Sequence, residues 1–139
     1  MSDIQSTLSR WSPGLLSILR IVAALLFLQH GSQKIFAVPG GPSATPVDLF
    51  SIVGLAGILE FFGGLFVLLG LFTRSAAFVV SGEMAVAYFW KHAVQGFSPL
   101  MNHGELAVLY CFIFLCFVAA GGGPWSIDRL IQRKPASPQ

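Results

Sequence analysis

The chain has 139 residues, of which 55% are hydrophobic and 10% charged, with 13 phenylalanines and a formal net charge of +2. Soluble domains carry about 25% charged residues, so this composition excludes an ordinary soluble enzyme and points to one integral membrane domain over 1–139. The basic residues are few and scattered, which argues against nucleic acid as a partner and leaves the lipid bilayer as the first partner implied.

The opening, MSDIQSTLSRWSP, mixes acid with base, and the apolar run behind it is too long for a signal-peptide core. The first span is therefore expected to be retained as an anchor. Four apolar segments follow one another at about Pro13–Phe36, Leu49–Phe72, Ser75–Lys91 and Gly104–Ala120. About 20 helical residues cross a bilayer core of ~30 Å, and the runs lack the alternation of barrel strands. The expected fold is all-α, an integral membrane four-helix bundle. The first connection carries Pro39, Gly40, Gly41, Pro42 and Pro46 and must be irregular, whereas Thr73-Arg74 reads as a tight turn. Gly121–Pro124 is a helix stop.

Basic residues orient the bundle. Arg10, Arg74, Arg129, Arg133 and Lys134 fall on one side and only Lys34 and Lys91 on the other, which places both termini in the cytoplasm of a bacterial inner membrane. Trp11, Trp90 and Trp125 fall at span ends, where an aromatic belt belongs.

The informative residues are the ionisable ones inside the spans. Arg20, Glu60 and Glu83 lie within apolar stretches, where a charge costs roughly 2.5–3.5 kcal/mol on insertion scales and therefore seeks a partner. The plain reading is a structural ion pair of Arg20 with Glu60 or Glu83. Two acids against one base leave a surplus, so either one carboxyl keeps its proton or a ligand completes the site. On that count Arg20, Glu60 and Glu83 are the candidate catalytic residues. Gly57 and Gly64 flank Glu60 on its own face and permit close approach of a backbone or ligand.

A second layer, His30, Lys34, His92, His103 and Glu105, falls near the outer mouth and is assigned to ligand binding. No pair shows metal-ligand spacing, so no metal is expected. Phe61, Phe62, Phe66 and Phe89 are candidate walls for an aromatic ring. Cys111 and Cys116, five residues apart on one helix, are separated by ~7.5 Å along its axis and cannot pair. With no C-x-x-C, the chain is not itself a dithiol exchanger.

In order along the chain come "LRIVAALLFLQHGSQKIF", "GLAGILEFFGGLFVLLGLFTR", "GEMAVAYFWKH", Gly104-Glu105 and "GGGPWSID". On these blocks the sequence resembles the DoxX family of small four-helix membrane proteins over about Leu16–Asp128. The resemblance implies a membrane oxidoreductase or its subunit, with Arg20, His30, Lys34, Glu60, Arg74, Glu83, His92, Glu105 and Asp128 as the matching polar positions. The function expected is a membrane subunit of a redox system that binds a quinone or similar small molecule while buried carboxylates handle protons. Its partners would be a soluble redox protein and further copies of itself. The alternatives are a non-enzymatic membrane anchor or assembly factor for a soluble redox enzyme, and a small transporter.

Overall fold

The structure is a computed structural model that describes residues 2–41 and 44–132. Arg133 and Lys134, counted in the charge bias, and Pro42 lie outside the described residues. The fold is all-α. Its helices are α1 (Ser2–Phe36), α2 (Ile52–Leu69), α3 (Thr73–Ala87), α4 (Glu105–Ala120) and α5 (Ile127–Gln132). A π-helical turn, Tyr88–His92, and a 3₁₀ turn, Ala93–Gln95, prolong α3. No strand occurs among the described residues.

Two boundaries differ from expectation. The first helix starts at Ser2 rather than Pro13 and carries Pro13 in its interior. Proline removes one ladder bond but fixes a φ that is already helical, and in a 35-residue helix the ladder continues on both sides. The second turn is Gly70–Phe72 rather than Thr73-Arg74, since Thr73 already begins α3. Gly70 takes the left-handed conformation (φ +67°) that closes α2, and Phe72 follows at φ +48°. Ser51 begins α2, its hydroxyl accepting from the Gly54 amide at 3.0 Å. The short α5 was not anticipated.

Helix α1 packs along α2 and α3 along α4, and α2 meets α3 side by side. Glycines set the first of these contacts. A Cβ on Gly31 would stand 2.4 Å from the Phe61 amide nitrogen, and one on Gly64 would stand 3.3 Å from the Leu28 backbone. Phe27 joins α1 to α4 edge-to-face with Tyr110 and Phe114. The core is small, centred on Ala24, Phe27, Val67, Val80, Phe114 and Phe117. The surface is apolar instead, with Leu26, Leu55, Phe78 and Phe112 all exposed. Helices α1 and α2 are long and apolar enough to cross a membrane, and α4 is a shorter apolar helix.

Candidate functional site

Close approach of α1 to α2 determines which charges meet. A Cβ on Gly57 would lie 2.9 Å from the Lys34 Cβ, so Lys34 is laid directly against α2. Its Nζ donates to Glu60 Oε1 at 2.5 Å. The Glu60 side chain is 5% exposed and that of Lys34 30%, so the pair reaches the surface on the lysine side. Glu60 Oε2 and both carboxyl oxygens of Glu83 are buried without a hydrogen-bond partner. Glu83 lies within electrostatic reach of both Glu60 and Lys34.

The expected pairing of Arg20 with a glutamate is therefore overturned: Lys34 is the base. The antiparallel register is the reason. Lys34 is 14 residues beyond Arg20, about 21 Å at 1.5 Å per residue, so Arg20 faces the far end of α2. There its guanidinium, fully buried, serves four backbone carbonyls. Nη1 donates to Val67 at 2.6 Å and also to Leu68, Nε to Gly122 at 2.8 Å and Nη2 to Trp125 at 2.5 Å. These carbonyls belong to the last turn of α2 and the glycine loop after α4, groups that a helix end leaves unsatisfied.

Two further charges do similar work at this end. Arg74 Nη1 donates to the carbonyls of Val118 and Ala119, closing α4 at 2.6 and 2.7 Å. The Asp128 carboxylate accepts from the amides of Phe72 and Thr73, both at 2.8 Å, and so caps α3 from 55 residues away. Burial works to raise the Asp128 carboxyl. The Thr73 and Phe72 amides and the Arg20 charge outweigh it and hold the group below its ordinary value. The Ser17 hydroxyl accepts from the Trp125 amide at 3.2 Å, which fixes the glycine loop beside α1.

Apart from Lys34, the outer-layer residues do not converge. His30 is exposed, edge-on to Tyr110 at 6.0 Å. His92 Nδ1 pairs with the Asn102 carbonyl at 3.0 Å. Asn102 in turn donates to Gly96 and accepts from the Gly104 amide, so this histidine belongs to a loop clasp. His103, at φ +57°, and Glu105, in the first turn of α4, are exposed. Phe61 is half-buried between Phe36 and Phe62. Phe62 and Phe66 line an exterior groove between α2 and α3, and Phe89 is 62% exposed. None of these three encloses the carboxylates.

Of the residues singled out from sequence, Lys34, Glu60 and Glu83 come together. Tyr110 was missed: it is buried in α4, stacked on Phe114 and within electrostatic reach of Glu60. Its signal was a lone hydroxyl in an otherwise apolar helix. Asn102 and Ser126 were missed as well, and their partners are backbone groups that a sequence does not display.

An apolar exterior around charges paired inside the fold defines an α-helical membrane protein. The family model described as DoxX matches residues 15–93. The chain is 41% identical over 136 residues to an uncharacterised protein of Haemophilus influenzae, an alignment covering 93% of this chain and 99% of that one. It is 31% identical over 123 residues to the inner membrane protein YqjF of Escherichia coli, covering 84% and 92% of the two. The uncharacterised membrane protein Rv3486 of Mycobacterium tuberculosis is also 31% identical, over 135 residues, with 84% and 80% covered. No solved structure matches. The chain belongs to the DoxX family.

Proposed function

We propose that this DoxX-family protein is a four-span bundle of the bacterial inner membrane, with both termini in the cytoplasm, that serves as the membrane subunit of a redox system. It holds a quinone or similar carbonyl-bearing molecule beside Lys34, Glu60 and Glu83. One observation carries the reading: the Glu83 carboxyl is buried with both oxygens unpartnered, next to an ion pair that already balances Glu60. A lone buried carboxylate is too costly to persist. Glu83 is therefore read as a neutral acid whose O–H is free to donate to a carbonyl oxygen. Reducing a quinone to its quinol takes two electrons and two protons. A soluble redox partner supplies the electrons, and protons reach the ring oxygens by way of Glu83 and the partly exposed Lys34–Glu60 pair.

Infrared difference spectroscopy and native mass spectrometry test this together. The expected result is a protonated-carboxyl band that vanishes in Glu83→Gln but persists in Glu60→Gln, with co-purifying quinone retained by Glu83→Gln and turnover lost. If neither variant removes a band and both support full activity, the acids are structural. The anchor reading then stands, favoured already by Arg20, Arg74 and Asp128 spending their hydrogen bonds on helix ends.

A further inference from the structure

Two hollows at the Arg20 end of the molecule have no part in the site above. The first, about 480 Å³, has a lining about half polar. Its walls are the first turn of α3 (Thr73, Arg74, Ser75), the glycine loop and Arg129. The second, about 340 Å³, is the exterior groove between α2 and α3, lined by Phe62, Phe66, Ala76 and Val79. Phe72 and Ser75 line both, so the two form one trough that begins polar at the helix end and continues apolar along the surface. The apolar part runs from Ser75 to Val79 on α3 and from Phe66 back to Ile58 on α2, about 12 Å along the latter.

The polar part carries uncompensated positive charge. Its single carboxylate, Asp128, has its oxygens engaged by the Phe72 and Thr73 amides and the Arg20 charge behind it. Arg74 commits Nη1 to α4, while Nη2 lies along Gly121, where a Cβ would approach it to 3.6 Å. Arg129 is exposed, and among the described residues the only ion pair is Lys34–Glu60. The Thr73 hydroxyl is a fully buried oxygen with no hydrogen-bond partner. It lies beneath Gly122, where any side chain would cover it, since a Cβ there would stand 2.7 Å away. The pocket also opens at the positive end of α3.

We propose that this trough binds an anionic phospholipid, its phosphate held by Arg74, Arg129 and the start of α3 and one acyl chain laid in the groove against Phe62 and Phe66. The shape argues for an amphiphile rather than a free anion, because charge and apolar surface meet at Phe72 and Ser75 without a break. Basic pockets between membrane helices are suited to acidic headgroups, and the groove lies on the apolar exterior of the fold.

Native mass spectrometry of the purified protein equilibrated with equal amounts of phosphatidylglycerol and phosphatidylcholine tests the proposal. We expect phosphatidylglycerol to be retained at least fivefold over phosphatidylcholine, and millimolar inorganic phosphate to leave it bound. Arg129→Gln removes a headgroup contact without touching a helix cap, and Ser75→Trp obstructs the junction of the two hollows. Each is expected to lower phosphatidylglycerol retention at least fivefold while the unfolding temperature stays within a few degrees of wild type. Equal retention of the two lipids by the wild-type protein would overturn the proposal without recourse to any variant. So would displacement by inorganic phosphate, which would mark a simple anion pocket. None of these residues belongs to the Lys34–Glu60–Glu83 cluster, so either proposal can fail alone.

Discussion

Arg20 and Lys34 stand on one face of α1, two heptads apart, yet they meet opposite kinds of partner. Lys34 finds a carboxylate, while Arg20 finds four carbonyl oxygens. The planar fork of a guanidinium suits several acceptors at once, whereas an ammonium acts as a point charge. That difference yields a prediction for the pair. Lys34→Met strands a buried carboxylate and should cost about 3 kcal/mol, the low end of the range for a broken buried pair because Lys34 is partly exposed. Lys34→Met combined with Glu60→Gln should recover most of the loss, as read by thermal unfolding in detergent. Equal unfolding temperatures for wild type and the single variant would remove Lys34 from the bundle's energetics. From sequence, the buried charges and the need for partners were legible. The identity of the pairs was not, because it depends on a helix register and on backbone acceptors that carry no side-chain signature.

At the scale of elements, the α1–α2 contact is built on glycine and the α2–α3 turn on a distant carboxylate. Gly31→Ala places a methyl 2.4 Å from the Phe61 nitrogen. Backbone cannot yield as a side-chain tip does, so the helices must separate at a cost of about 1–3 kcal/mol or more. The same separation draws Lys34 from Glu60. The expected outcome is a lowered unfolding temperature together with loss of any bound small molecule, and a variant that unfolds as wild type would refute the close packing.

Asp128 gives a pH signature. Its folded-state carboxyl titrates below the ordinary value, so its contribution is complete above that value and disappears as pH falls through the lower, folded one. Asp128→Asn should therefore be less stable than wild type at neutral pH, and the gap should close only in strong acid. A gap unchanged down to pH 2 would mean that the carboxylate's charge contributes nothing. The glycine spacing around Glu60 and the helix stop at Gly121 could be read from the chain. The cap on α3 could not, because donor and acceptor are 55 residues apart.

For the molecule as a whole, the middle of α1, the start of α3 and the end of α4 gather at one end, tied by Ser17, Arg74 and Asp128. Lys34 and the Lys91–Glu105 connection occupy the other. The basic residues favour the first end, which predicts that both termini are cytoplasmic. A reporter fused after Gln139 should be active if it needs the cytoplasm and silent if it needs the periplasm, and the reverse result would invert the topology. The membrane setting was evident from composition, and the all-helical architecture from apolar runs long enough to span as helices and without the alternation of strands. How long α1 is, and that α5 exists, were not: neither depends on apolar periodicity.

The guanidinium of Arg20 also sets an order of events in the making of the protein. Two of its acceptors, Val67 and Leu68, emerge about fifty residues after it, and the other two, Gly122 and Trp125, only 102 and 105 residues after it. At about 5–20 residues per second, roughly 5–20 s of translation separate the arginine from its final partner. Throughout that interval a charge already delivered to the membrane must stay hydrated or borrow other oxygens. The last step of maturation is thus timed not by insertion of the last long helix but by the arrival of the short loop behind it.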